Sequence, residues 1–165
     1  MSRESREDLR GRPPCVGSVE EFEEVCGKGL ERYAVARLGR KLGLVRIGVN
    51  HETIFPGGRS SVPHAHSKDE EFVYVLQGRP TLWLDGEVTE LAPGDAVAFP
   101  AGTGAGHSFL NNSGSAVKLL IVGEHSEKDQ VAYPLNPEQS HPRPWSSAPR
   151  RPLGPHDGKT DLQRG

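Results

Sequence analysis

Three histidines and one glutamate are the residues of this sequence whose types and spacing best suit chemistry. His64 and His66 are two positions apart, Glu71 follows shortly after them, and His107 lies further along the chain. Alternate residues of a strand face the same side, so the imidazoles of His64 and His66 would point the same way. Three imidazoles and a carboxylate suit one divalent transition metal (Fe, Mn, Ni or Zn) and leave positions for a substrate. These four residues are therefore candidate metal ligands.

Strands are the elements that must position these residues. From about residue 30 to 124, apolar and polar residues alternate with period two, and Gly and Pro interrupt the pattern repeatedly. Asp85-Gly86 separates two such runs and predicts a type I′ hairpin turn. The predicted strands cover 31–38, 44–55, 61–66, 71–76, 81–84, 87–91, 96–99, 107–111 and 117–122. Many short strands with regular turns indicate an all-β antiparallel sandwich or barrel.

The longest of these predicted strands, over 44–55, has two different faces. One face carries Val45, Ile47, Val49, His51, Thr53 and Phe55, and the other carries Arg46, Gly48, Asn50 and Glu52. We expect the first of these faces to line the interior, which would place no cation of this strand inside.

The segments on either side of this region differ from it in composition. Residues 1–17 are polar and predict a flexible leader, and 18–43 predict a short helix followed by a strand. Ser18 and Glu21 match a capping box at the start of that helix, which we expect to end at Gly27. The barrel would cover 44–124, followed by a Pro-rich extension over 125–165. Tyr133, Leu135 and Trp145 would anchor this extension to the barrel.

Composition excludes several classes of partner. The 20 Lys and Arg residues nearly balance the 22 Asp and Glu residues, so no basic surface favours nucleic acid or an anionic membrane. No apolar run is long enough to span a bilayer, and the first residues do not form a secretory signal. Two cysteines do not make a disulfide scaffold. We expect a cytoplasmic protein whose partner is a small molecule.

The residues that carry the candidate chemistry fall within two motifs, and here the chain resembles the cupin superfamily. The first cupin motif is Gly-x5-His-x-His-x(3 or 4)-Glu-x6-Gly, and every fixed position is matched, by Gly58, His64, His66, Glu71 and Gly78. Glu70 fits the three-residue spacing but leaves seven residues before Gly78, which favours Glu71. The second, Gly-x5-Pro-x-Gly-x2-His-x3-Asn, is matched by Gly94, Pro100, Gly102, His107 and Asn111. The departure is a longer gap between Gly102 and His107, filled by four residues instead of two.

This resemblance implies a single cupin jelly-roll β-barrel, and the composition on either side adds a short N-terminal helix and a Pro-rich C-terminal extension. The resemblance also implies that His64, His66, Glu71 and His107 hold one divalent metal inside the barrel. As a carboxylate ligand, Glu71 could also accept a proton. The resemblance further implies a homodimer. A histidine pair alone is more often structural than a ligand pair, and a cupin that functions without metal is the alternative.

Three functions remain open on this sequence. The first is a metalloenzyme acting on a small organic molecule, of the dioxygenase type, because an open-shell metal can bring substrate and dioxygen together. The second is a sugar-phosphate isomerase or epimerase, which needs cations near the metal to bind phosphate; Arg59 and Lys68 are the candidates near the rim. The third is a cupin that binds a small ligand without turnover.

Overall fold

The structure, a computed structural model, describes residues 13–139 and 153–165, and nearly all of its regular structure is antiparallel strand. No helix within these residues is long and apolar enough to cross a membrane. The helices are α1 (Val19–Phe22), α2 (Leu38–Lys41) and α3 (Asp161–Arg164). The strands are β1 (Glu23–Cys26), β2 (Tyr33–Ala36), β3 (Ile47–Ile54), β4 (Ala65–His66), β5 (Glu71–Gln77), β6 (Thr81–Leu84), β7 (Glu87–Glu90), β8 (Ala96–Phe99), β9 (His107–Leu110), β10 (Val117–Glu124) and β11 (Val131–Ala132).

Two facing sheets form the barrel, which confirms the predicted all-β fold. One sheet has six strands in the order β1-β2-β3-β10-β5-β8, and the other has three in the order β7-β6-β9. β4 pairs with β11, and isolated bridges at Arg59 and His64 join the segment before β4 to β9. The sheets enclose one apolar core, made of Ile54, Val73, Val75, Leu82, Leu91, Phe99, Phe109, Val117 and Leu119. The candidate ligands lie toward one end of this core.

Positive backbone φ angles occur at the predicted hairpin between β6 and β7. Asp85 has φ +49° and Gly86 has φ +87°, as both central residues of a type I′ turn require. Gly86 is also close to Gly154, where a Cβ on Gly86 would come within 2.4 Å of the Gly154 nitrogen. This turn therefore accommodates the C-terminal segment as well as reversing the chain.

The predicted orientation of the strand over 44–55 is wrong. In β3, Asn50 pairs with Ile121, Glu52 with Leu119 and Ile54 with Val117. Directly paired residues share a face, and Leu119, Val117 and Ile54 belong to the core. Asn50, Glu52 and Ile54 therefore face inward. Phe55 lies on the other side, with its ring 5.1 Å from the Arg32 guanidinium carbon.

The N-terminal region also differs from the prediction. Ser18 caps a helix, and the Glu21 N–H donates to its hydroxyl oxygen, but this helix ends at Phe22 and the chain continues as β1. The strand predicted over 31–38 is confined to Tyr33–Ala36. The end of that predicted strand and the residues just after it form α2, a single helical turn that packs beside β3.

The described parts of the C-terminal extension contact the barrel. The Trp83 indole N–H donates to the carbonyl of His156, and the Thr160 hydroxyl donates to the carbonyl of Gly57. Pairing of β11 with β4 brings the Tyr133 ring within 6.3 Å of the His64 ring centroid. Tyr133 and Leu135 are half-buried, and Trp145 lies outside the described residues. The extension therefore closes one side of the barrel.

The outer face of β5 is apolar and exposed. Phe72, Tyr74 and Leu76 project from it with 42%, 38% and 43% of their surface accessible. A second copy of the chain would cover such a face, and the homodimer stays a prediction.

Candidate functional site

His64 and His107 are held side by side by the backbone. The His64 N–H donates to the His107 carbonyl at 3.1 Å, and the His107 N–H donates to the His64 carbonyl at 2.9 Å. The centroids of the two rings are 4.8 Å apart. The His107 ring also stacks on Phe99, with a centroid separation of 3.6 Å and an interplanar angle of 8°. The longer loop after Gly102 therefore does not remove His107 from His64.

His66 and Glu71 complete the group. The His66 ring centroid lies 5.0 Å from that of His64 and 6.5 Å from that of His107. At the start of β5, Oε1 of Glu71 is 3.2 Å from Nε2 of His107. Four residues from separate parts of two sequence motifs thus lie in one place.

Hydrogen bonds determine which nitrogen of each imidazole is available to bind a metal. Nδ1 of His64 donates to the Val62 carbonyl at 2.9 Å, and Nδ1 of His66 donates to Asp129 at 2.6 Å. Nε2 is then the available nitrogen of both rings, and it is also the nitrogen of His107 that faces Glu71. Nδ1 of His107 is buried with no hydrogen-bond partner in the described part of the chain. Three Nε2 atoms and one carboxylate form a suitable donor set for a transition metal.

For two of the three pairs of imidazoles, the distance between ring centroids agrees with binding to one shared metal ion. With metal–nitrogen bonds of about 2.1 Å, two rings on one ion have centroids about 4.5–5.5 Å apart. Both pairs that include His64 fall in this range, whereas the 6.5 Å between His66 and His107 is wider. A different set of residues, His66, Asp69 and Asp129, forms the tighter cluster within the described residues, with possible ligand atoms that all lie within 4.8 Å of one another. The ligand atoms of the four predicted residues are thus spread more widely than those of this cluster.

Burial and mutual charge set the ionisation of the site. Burial, and the nearby imidazoles of His107 and His66, lower the pKa of His64 to about 4, so this ring is neutral and able to coordinate at pH 7. Burial alone would raise the pKa of Glu71. The hydrogen bond from His107, and the electrostatic interactions with the His107, His64 and His66 rings as they become protonated, outweigh burial, and the pKa of Glu71 is lowered. Neutral imidazole and ionised carboxylate are the forms that bind metals.

Two cavities meet at Glu71. One, of about 580 Å³, is bordered by Arg37 and Arg40 of the α2 region and by Asn50 of β3. The other, of about 280 Å³, is bordered mainly by apolar side chains, among them Phe72, Phe99 and Val122. Gly123 and Gly48 are register partners, and Gly123 also pairs with Glu71. The missing side chains of these glycines leave room for a ligand beside the Glu71 carboxylate.

Sequence reasoning missed two features of this site. Arg37, the N-cap of α2, and Arg40 within this helix border the cavity, so its cations come from this helical turn and not from β3. Asp129 reaches His66 from beyond the barrel motifs. None of these three residues belongs to a local pattern, although the Arg37–Lys41 stretch carries three cations within five residues.

Comparisons with known proteins agree with the two motifs. A family model of the cupin domain matches residues 50–123. A sugar phosphate isomerase of the cupin superfamily from Silicibacter pomeroyi is 37% identical, with TM-score 0.60, over 61% of this chain and 64% of that one. A protein of Acidithiobacillus ferrooxidans provisionally named a sugar phosphate isomerase is 30% identical, with TM-score 0.68, over 73% of this chain and 81% of that one.

A third similarity is to an enzyme of different activity. The quercetin 2,3-dioxygenase of Bacillus subtilis is 34% identical over 68 residues, which are 41% of this chain and 20% of the enzyme. The chain thus spans about a fifth of the dioxygenase and just under two thirds of the Silicibacter protein. The motifs, the antiparallel barrel and these similarities together place the chain in the cupin superfamily.

Proposed function

We propose that this cupin is a metal-dependent isomerase or epimerase that acts on a small phosphorylated sugar. The observation that carries the proposal is the larger cavity, in which two arginines and the Glu71 carboxylate border the same space. Arginine binds phosphate oxygens in a bidentate, charge-assisted manner. The sugar phosphate isomerase names of two similar structures support the same choice.

The metal would be held by His64, His66 and His107 through Nε2 and by the carboxylate of Glu71. As a divalent ion such as Zn or Mn, it would act as a Lewis acid that polarises a carbonyl or hydroxyl oxygen of the substrate. Glu71 is ionised at neutral pH and borders the cavity, so it is the group placed to take up a proton from the substrate. Without a metal, Nε2 of His107 donates a hydrogen bond to Oε1 of Glu71 at 3.2 Å. A bound metal would take the place of that proton between the two side chains.

The arginines would bind the phosphate and set the orientation of the sugar. Arg40 forms no ion pair within residues 13–139 and 153–165, so its guanidinium is available to an anion. Arg37 is 3.4 Å from Glu24, and Lys41 of the same helix is 3.5 Å from the other oxygen of that carboxylate. Lys41 does not border the cavity. Arg40 and Lys41 are thus neighbouring cations of α2, of which Arg40 borders the cavity and Lys41 pairs with Glu24 instead.

Replacing Arg40 should therefore weaken substrate binding without affecting the metal. For Arg40→Ala we expect KM for the phosphorylated sugar to rise about 10–100-fold, because a charge-assisted contact is lost, with little change in kcat. The measurement is a steady-state isomerisation assay over a panel of aldose and ketose phosphates. Lys41→Ala is the matched control and should keep the wild-type KM. Equal effects of both variants, or none in either, would contradict a phosphate site in this cavity.

A second candidate is dioxygenase activity on an aromatic or enolic compound. The similarity to quercetin 2,3-dioxygenase favours it, as does the apolar cavity bordered by Phe72, Phe99 and Val122 on the other side of Glu71. Dioxygen uptake by the Fe-, Mn- or Ni-loaded protein with flavonols separates the two candidates. Substrate-dependent uptake without isomerisation of any sugar phosphate would favour the dioxygenase.

A further inference from the structure

Asp129 contacts one of the proposed ligands from outside the two cupin motifs. It lies between β10 and β11, and its Oδ2 accepts a hydrogen bond from Nδ1 of His66 at 2.6 Å. Its carboxylate is 9% exposed. This residue is 63 positions from His66 in the sequence, and only the folding of the extension onto the barrel brings the two together.

The other oxygen of Asp129 is fixed by the loop that follows His66. Oδ1 accepts hydrogen bonds from the Lys68 N–H at 2.8 Å, the Ser67 hydroxyl at 3.2 Å and the Asp69 N–H at 3.4 Å. The Ser67 N–H donates to the Gln130 carbonyl, and the Gln130 N–H donates to the Ser67 hydroxyl oxygen. These hydrogen bonds hold the Asp129 carboxylate in place and fix its orientation toward His66.

We propose that Asp129 is a positioning residue, which holds His66 in the Nδ1–H tautomer and directs the Nε2 lone pair into the barrel. This inference rests on the proposed function, since it assumes that His66 is a metal ligand. A carboxylate on the second nitrogen of a ligand histidine fixes the ring and increases its basicity. Without that acceptor, neutral imidazole would be free to place its proton on Nε2, which cannot then bind a metal.

The hydrogen bonds around Asp129 define it as an acceptor toward His66. Its Oδ1 receives two backbone N–H groups and the Ser67 hydroxyl, and its Oδ2 lies 2.6 Å from Nδ1 of His66. A carboxylate only accepts hydrogen bonds, so His66 is the donor of this pair. The nearby Asp69 carboxylate accepts from the Ser126 N–H and stabilises the same loop.

The test replaces the acceptor by a donor of the same shape. In Asp129→Asn, the amide oxygen can keep the backbone hydrogen bonds while the NH₂ group faces His66 Nδ1. We expect His66 to change to the Nε2–H tautomer, which ¹⁵N-resolved imidazole NMR of the metal-free protein detects. We also expect the dissociation constant for Zn²⁺ or Mn²⁺, measured by calorimetry, to rise about 10–100-fold.

Two further variants separate positioning from folding. Asp157→Asn removes a carboxylate oxygen 3.9 Å from His156 Nδ1, away from the site, and should change neither the tautomer of His66 nor metal affinity. If Asp129→Asn does not fold, Asp129→Glu keeps the acceptor and should retain the Nδ1–H tautomer.

The outcomes distinguish this inference from the proposed function. A wild-type protein that binds no metal would remove the proposed function, while the NMR readout would still decide the role of Asp129. Wild-type metal affinity and an unchanged His66 tautomer in Asp129→Asn would overturn the inference alone. Loss of metal from Asp129→Asn with retention by His64→Ala would also overturn it, because the ion would then be bound at His66, Asp69 and Asp129.

Discussion

The substitution Glu52→Gln should stabilise the metal-free protein, and the gain should increase with pH. Glu52 is 7% exposed, faces the interior beside Leu119, and its Oε1 has no hydrogen-bond partner within the described residues. Burial, and then the negative charge of Glu71, raise the pKa of Glu52 from 4.5 to about 8. An ionised carboxylate in this place opposes folding much more strongly than a neutral amide does.

The sign of the pH dependence follows from proton binding. Between about pH 4.5 and 8, the folded protein keeps the Glu52 proton and the unfolded chain has lost it. The free energy of unfolding therefore falls as pH rises through this window, and the contribution of Glu52 to it is most favourable below about pH 4.5. Each pKa unit is worth about 1.4 kcal/mol, so we expect Glu52→Gln to gain roughly 3–5 kcal/mol at pH 8 and little at pH 4.5.

Urea denaturation of both proteins at pH 4.5 and pH 8, without metal, measures this effect. The exposed Glu127→Gln is the control, and its free energy of unfolding should stay within about 0.5 kcal/mol of the wild type at either pH. A gain of the same size at both pH values, or a loss at pH 8, would show that Glu52 is not held protonated by its surroundings.

Substituting His64 by alanine should remove the metal and leave the barrel folded. The variant loses one of four proposed donors, and we expect metal affinity to fall at least about 100-fold. The backbone hydrogen bonds between positions 64 and 107 do not involve the imidazole and should persist. Elemental analysis of metal-replete protein gives the stoichiometry, and circular dichroism checks the fold.

The control for this variant is a histidine near the site that is not a proposed ligand. His125 borders the larger cavity and is exposed, so His125→Ala should keep one metal ion per chain. Full metal content in His64→Ala would show that His64 is not a ligand.

The sequence predicted best those features that local patterns determine. The ranges predicted for β6 and β8 agree with the structure, because each strand is bounded by Gly, Pro or Asp turns. The positive φ angles at Asp85 and Gly86 follow from the turn type. The grouping of His64, His66, Glu71 and His107 follows from two spaced motifs, since both imidazoles of a His-x-His pair share one face of a strand.

The features that were missed depend on packing between distant segments. The orientation of β3 could not be read from alternation, because His51 and Thr53 on its outer face are also buried, and the inner face carries Asn50 and Glu52. These polar residues face inward because the barrel interior contains the candidate site as well as the apolar core. The role of Asp129 depends on the extension folding back onto the barrel, for which no periodic pattern exists.

Anomalous X-ray scattering from crystals of the protein loaded with Zn²⁺ or Mn²⁺ tests the proposed metal centre most directly. We expect one strong peak about 2.0–2.3 Å from Nε2 of His64, His66 and His107 and from a carboxylate oxygen of Glu71. A peak bound by Asp69 and Asp129, or no peak in metal-replete crystals, would contradict this metal centre.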